Sequence, residues 1–341
     1  LYTMAYFGED LRPYWNKDGK SSIEDLYADA EKDYKEVMAK CYAFDRQLMA
    51  DAYLAGGKEY AELCALAYRQ SVSAFQMSED SDGELLYFTP QVGPVDEYYP
   101  ASPLYLRYNP DLVKAMLNPF FYYSESGKWG KPFPPHDLGG YPIVNGQTIG
   151  GDMPVEEAGN GLIMTAAIAK MEKNASYAEK HWKTLTQWAE YLLENGTDTG
   201  DQLTTDNFAG NCPHHANLSA KGVLGIAAYA RLADKKEEAE KYMNAAGEMA
   251  KEWEMAAYAG DHYRLAFDQP DSWGMKYNLV WDRLLGLNLF PKRVIQKETD
   301  FYLTKMNEFG CPLDSRHSYT KVDWTVWTAS LSADCMQFRR L

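Results

Sequence analysis

Hydrophobic positions recur at helical spacing along most of the chain, and two kinds of helix alternate. Segments 156–172, 217–233, 277–289 and 323–338 are apolar on nearly every face. Segments 176–194 and 235–258 instead carry single stripes: Trp182, Leu185, Trp188 and Leu192 in one, Tyr242, Ala246, Met249 and Trp253 in the other. A helix apolar all round is buried and a striped one is half-solvated, so the first set is inner and the second outer. Upstream, the pattern predicts a weak helical start over 3–15, a long helix over 22–54 broken by Gly56-Gly57, and a helix over 59–77. Short helices follow at 103–108 and 110–124, and another helix at 292–309; residues 79–100 read as irregular, with a short strand at 85–89. Loop lengths alternate in step. Connections at Asn174, Asp234 and Pro291 are tight, while 79–100, 127–153, 196–215, 260–276 and 310–322 are long. If successive helices are antiparallel, every long loop lies at one end. Counted this way, about twelve helices form six pairs, which predicts an all-α (α/α)6 toroid as a single domain over 1–341, with a funnel at one end.

The long loops end where inner helices begin, and polar residues concentrate there. The loop PFPPHDLGGYPIVNGQTIGGDM (132–153) carries His136, Asp137, Tyr141 and Asp152 into a helix opened by Pro154, Glu156 and Glu157. Proline suits the first helical position, and acidic groups complement the dipole there. Exposed carboxylates are not expected in front of so apolar a helix. Glu156 and Glu157 point about 100° apart, so one of them faces the lumen. Asn160 shares a face with Glu156, which favours Glu156. The catalytic candidates are Glu156, Glu157, Asp137 and Asp282. The substrate-binding candidates are His136, Tyr141, Asn160, His215, Asn217, Trp273, Lys276, Asp314, Arg316, His317, Lys321, Asp323 and Trp324. Simpler roles compete: Asp323 as a helix cap, Asp206-Asn207 as a turn, Arg316 as half of a loop-stabilising salt bridge.

A net charge of −15 and pI near 4.9 argue against nucleic acid and anionic membranes as partners and leave small neutral or cationic substrates open. No apolar run is long enough to span a bilayer. Cys41, Cys64, Cys212, Cys311 and Cys335 are odd in number and widely spaced, which signals neither a zinc site nor a disulfide framework. No phosphate-cradling glycine loop is present, so neither metal nor cofactor is expected. Adjacent His214 and His215 point apart, and Ser318-Tyr-Thr-Lys321 matches the Ser-x-x-Lys pattern without its companion motifs. Three Asn-x-Ser/Thr sequons begin at Asn174, Asn195 and Asn217.

Several long stretches, in order, resemble the glutaminase A family, relatives of the six-hairpin glycosidases: PPHDLGGYP (134–142), MPVEEAGNGLIM (153–164), NLSAKGVLGIAAYA (217–230), KYNLVWDRLLGLNLFP (276–291) and PLDSRHSYTKVDWTVWTA (312–329). YAELCALAYRQ (60–70) and VDEYYPASPLYL (95–106) fit as well. The resemblance implies the six-hairpin toroid and a hydrolase. Members look longer, with a β-rich N-terminal domain, so this chain is expected to be a fragment; the stretch usually resembling GTxYPN reads GGYPIVN here. Two mechanisms compete. An amidohydrolase would release ammonia from L-glutamine, with one carboxylate activating water, another acid protonating ammonia, and Arg316 or Lys321 holding charge. A glycosidase of carbohydrate metabolism would flank its bond with two carboxyl groups, with Trp273, Trp324 and Tyr141 stacking on sugars. A catalytically silent glycan-binding module is the third reading. Family resemblance and a first residue other than Met set the expectation of an extracytoplasmic, periplasmic or secreted protein.

Overall fold

The computed structural model describes residues 4–6, 9–80, 82–140, 143–332 and 335–340. The protein is mostly helical, with a small sheet at its N-terminal side. The helix expected over 3–15 is instead two strands, β1 (Met4–Tyr6) and β2 (Glu9–Pro13). Helix α1 (Ile23–Gly56) opens on a capping box between Ser22 and Asp25. It turns at Gly57, whose φ of 89° suits only glycine, directly into α2 (Lys58–Ala74). Strands β3 (Gln76–Glu79) and β4 (Leu85–Phe88) follow. With β5 (Ile143–Val144) the sheet order is β4-β3-β2-β1-β5, and β2 joins β3 through Arg12↔Glu79 and Pro13↔Ser78. Long-range pairing decided the first segment: Pro13 cannot sit inside a helix, and the edge of β3 offers it a partner.

Next come α3 (Val95–Tyr98), α4 (Ser102–Tyr108), α5 (Pro110–Glu125), α6 (Pro154–Glu172), α7 (Ser176–Lys180), α8 (Trp182–Asn195), α9 (Ala216–Leu232), α10 (Lys236–Ala257), α11 (Val280–Leu285), α12 (Lys292–Leu303), α13 (Val322–Ala329) and α14 (Cys335–Arg340). The segment expected over 176–194 breaks at His181, and the one over 323–338 divides into α13 and α14. The segment over 277–289 is a single 3-10 turn, Tyr277–Leu279, followed by the short α11, which Gly286 ends at φ 70°.

For α6 and α9 inside and α8 and α10 outside, roles fall as the hydrophobic pattern predicts, whereas the segments over 277–289 and 323–338 are only partly buried. From Val155 to Ile168 every residue of α6 is buried, as is α9 from Ala216 to Ala230. The two helices cross where a Cβ on Gly225 would lie 3.2 Å from the Gly159 Cα. Beyond α9, Asn278 donates to Asn217, and Tyr277 stacks flat on Trp324 at 3.9 Å between ring centroids. Tyr99, between α3 and α4, packs on Trp324 and Trp327 of α13, and α3 returns to α6 through Asp96 and Glu157. These inner helix starts are therefore neighbours in that order, and the last meets the first. Outside them, the striped faces bury Leu185, Trp188 and Leu192 of α8 and Tyr242, Ala246, Met249 and Trp253 of α10. Each such side chain contributes roughly 1.5–3 kcal/mol by leaving water. The indole of Trp253 also donates to the Ala216 carbonyl at 2.6 Å, pinning the start of α9. Among the described residues no helix is long and apolar enough to cross a membrane.

Candidate active site

A charged network lies where the inner helices begin. Lys221, in the middle of the apolar α9, is fully buried and ion-pairs with Glu156 in the first turn of α6. Its side chain reaches that far because residue 159 is glycine: a Cβ there would lie 2.6 Å from the Lys221 Cγ. The Lys221 ammonium also donates to Asn160 Oδ1 at 2.8 Å and sits 4.1 Å above the Tyr99 ring. Asn160 Nδ2 then donates to Glu157 Oε2 at 3.2 Å. Glu157 Oε1 accepts the Asp96 backbone N–H at 3.2 Å. Burial, then the charges of Asp96 and Glu156, hold the Glu157 carboxyl well above the usual range; burial and Glu156 raise Asp96 as well.

Across the site, Asp206 accepts from the Tyr277 hydroxyl at 2.8 Å and from the Trp324 indole N–H at 3.1 Å. Burial pushes its carboxyl up to about 6; the Tyr277 bond opposes this, the Glu156 charge adds to it, and Lys321 and Trp324 oppose it. The Tyr99 hydroxyl donates to Asn278 Oδ1 at 3.0 Å, and Asn278 N and Nδ2 donate to Asn217 Oδ1 and O. The first of those bonds fixes the Asn217 amide, so its Nδ2 is a donor. That Nδ2 and Asp96 Oδ1 are buried without a protein partner. Glu156 is the hub, its charge acting on Asp96, Glu157, Asp206, Tyr99 and Tyr277.

Of the sequence candidates, Glu156, Glu157, Asn160, Asn217 and Trp324 belong to this network. Asn160, expected to orient Glu156, instead bridges Lys221 and Glu157. His136 borders the network: its Nδ1 donates to the Gly151 carbonyl at 3.1 Å, and its ring draws the Asp96 carboxyl down. His215 caps α9, its Nδ1 accepting from Leu218 N at 3.3 Å, so the neutral ring carries its proton on Nε2. Burial, then Lys276 and Arg316, push it down to about 3.

Other candidates have different work. Asp137 is saturated by Gln91, Gly139, Thr148 and Ile149 and staples its loop. Asp282 accepts from Leu289 N and Phe290 N, holding the turn after α11 at the far end from the network. Lys276 turns away, to the carbonyls of Tyr263 and Gly274 and to Glu298 at 3.5 Å. Arg316 grips Asp314 with two nitrogens, at 3.1 and 2.7 Å, and also the Gly210 carbonyl, which is the loop-stabilising role. Lys321 pairs with Asp323 and lies 4.4 Å above the Trp324 ring. Asp323 lines an outer groove of about 620 Å³ with Tyr60, Tyr68 and Arg107. His317 is exposed and stacks on Tyr319, and Trp273 packs edge-on to Phe301. Tyr141 lies outside the described residues.

Asp96 was not among the candidates, and Asp206 was read only as a turn residue. Lys221 had a readable signal: a lysine in a helix apolar on every face needs a buried partner. Asp96 and Asp206 had none beyond their place in long loops.

Residues 57–341 match the glutaminase A six helical-hairpin domain. The chain belongs to this family. Residues 1–51 match a domain of unknown function (DUF5127), so the two matches meet near the end of α1. The chain is 32% identical to glutaminase A of Aspergillus oryzae over 320 residues, 89% of this chain and 46% of that protein. It is 27% identical to a probable glutaminase of Arthroderma benhamiae over 422 residues, 95% of this chain and 48% of that protein. The chain thus spans about half the length of these curated relatives.

Proposed function

We propose that the protein is an amidohydrolase that releases ammonia from the side-chain amide of L-glutamine, with the Glu156 network as its active site. The observation that carries this reading is the pair of buried atoms without partners, one acceptor (Asp96 Oδ1) and one donor (Asn217 Nδ2), on two hydrogen-bonded chains that meet where the Lys221 ammonium lies over the Tyr99 ring. A primary carboxamide presents the complementary pair, an N–H₂ donor and a carbonyl acceptor. An unmet buried polar atom costs about 1–3 kcal/mol, and a substrate that satisfies both recovers that cost on binding. The glutaminase names of both relatives point the same way.

Glu156 is the general base. It lies at a helix N-terminus with the Lys221 ammonium fixing one oxygen, so the other is free to take a proton from water. The Asn217 N–H faces the carbonyl oxygen as it gains charge. Glu157 and Asp96, whose carboxyls burial and the Glu156 charge raise, hold the amide end without adding a second full negative charge beside Glu156.

The test is ammonia release from L-glutamine by the full-length protein, run beside sugar release from a glycan panel. Glu156→Gln, folded by circular dichroism, is expected to lower turnover at least about a hundredfold. Sugar release without ammonia release would replace this reading with the glycosidase one. Full activity in both Glu156→Gln and Glu157→Gln would remove the catalytic role of the motif.

A further inference from the structure

Asp206 is a buried carboxyl of the site with no cation in contact. Both its oxygens are held by neutral donors from two different inner helix starts, Tyr277 and Trp324. Those rings are themselves locked, stacked 2° from parallel. Its own backbone is fixed as well: its N–H donates to Thr204 Oγ1 at 3.1 Å and its carbonyl accepts from Ala209 N at 3.0 Å. The charged and titratable groups around it are Glu156 of α6, Tyr277, Lys321 ahead of α13, and Arg316 and Cys212. Lys321 is paired with Asp323 and Arg316 with Asp314, so neither cation is committed to Asp206.

Resting on the proposed hydrolysis, we infer that Asp206 is the general acid that protonates the departing ammonia. Water adds to the amide carbon as Glu156 takes its proton. The C–N bond then breaks as the Asp206 proton passes to nitrogen, giving a carboxylic acid and ammonia. Glu156 returns its proton to Asp206 through solvent. The arrangement suits an acid because a phenol O–H and an indole N–H both stabilise the carboxylate left behind. Burial keeps the proton on beforehand, which places this carboxyl near the range a general acid needs. Glu157 is a poorer donor, since burial and the Asp96 and Glu156 charges hold its carboxyl well above the usual range.

The experiment measures kcat/KM for L-glutamine against pH, together with the Trp324 indole N–H resonance of the free protein. Wild-type kcat/KM is expected to fall as pH rises through about 6, and Asp206→Asn to lose that limb with at least about a hundredfold lower turnover. Tyr277→Phe removes a donor to the carboxylate, so its limb should move to higher pH. The indole resonance should titrate over the same range in wild type and not in Asp206→Asn. An indole that does not titrate between pH 5 and 7 overturns the inference whether or not glutamine is the substrate. So does ammonia release by Asp206→Asn with an unchanged profile. Absence of ammonia release by wild type sinks the proposed function, and the indole titration then decides Asp206 alone.

Discussion

Two buried charged clusters lie side by side at the inner helix starts, and they differ in how fully they are satisfied. In one, Lys276 donates to two carbonyls and pairs with Glu298, which accepts from Tyr263 N at 2.7 Å and from the Tyr302 hydroxyl. Next to it Arg316 and Asp314 close a two-bond pair. In the other, Lys221 ion-pairs with Glu156 among the further buried carboxyls of Asp96, Glu157 and Asp206, and two polar atoms have no partner. Burial and charge are common to both. Surplus carboxylate and two unmet polar atoms distinguish the second from the first, and a ligand that supplied the partners would complete it.

The largest expected effect tests the satisfied cluster. Glu298→Ala leaves the buried Lys276 ammonium uncompensated and should cost about 3–5 kcal/mol in chemical denaturation. Activity should fall only with the folded fraction. A stable Glu298→Ala protein that has lost turnover would erase the contrast between the clusters.

Acid titration separates them by sign. The Asp206 carboxyl is raised from 3.8 to about 6, so its contribution to stability is full below pH 3.8 and is lost as pH rises through about 6. That loss is about 3 kcal/mol, and urea midpoints of Asp206→Asn against wild type should show it between pH 4 and 7. His215 runs the other way. Its ring is lowered from 6.5 to about 3, so its contribution is present above pH 6.5 and lost as pH falls. His215→Gln should therefore make the acid limb of wild-type stability shallower, and an unchanged limb would show that His215 does not stay neutral in the fold.

Gly159→Ala sharpens the comparison at the site. The added methyl meets Lys221 Cγ and should displace the ammonium from Glu156, for an overpacking cost of about 1–3 kcal/mol and a larger proportional loss of turnover. Equal losses in both would mean that Lys221 only fills space. The smallest effect belongs to Asp282. Asp282→Asn weakens the two backbone bonds that hold the turn at 286–290, for about 1 kcal/mol, and ammonia release by the remaining folded protein should be unchanged.

Much of the architecture was legible along the chain. All-round apolar α6 and α9, the stripes on α8 and α10, the Gly56-Gly57 break and the long loops before inner helices are local patterns, and each became the element it predicted. Segments 3–15 and 277–289 were misread because pairing with β3 and the αL stop at Gly286 outweighed weak periodicity. At the site, the sequence by itself determined Glu156, Glu157 and Asn160, since a buried helix start with two carboxylates is visible in one window of residues. Tertiary structure decided everything that depends on distance across the funnel. Asp137 and Asp282 share composition with Asp96 and Asp206, yet the first two are saturated by their own loops and the second two face Glu156. Lys276 sits just before one inner segment and Lys221 in the second turn of another, and only packing turns one to Glu298 and the other to Glu156. Glu156 and Lys221 meet from 65 residues apart, and no periodicity encodes that pairing.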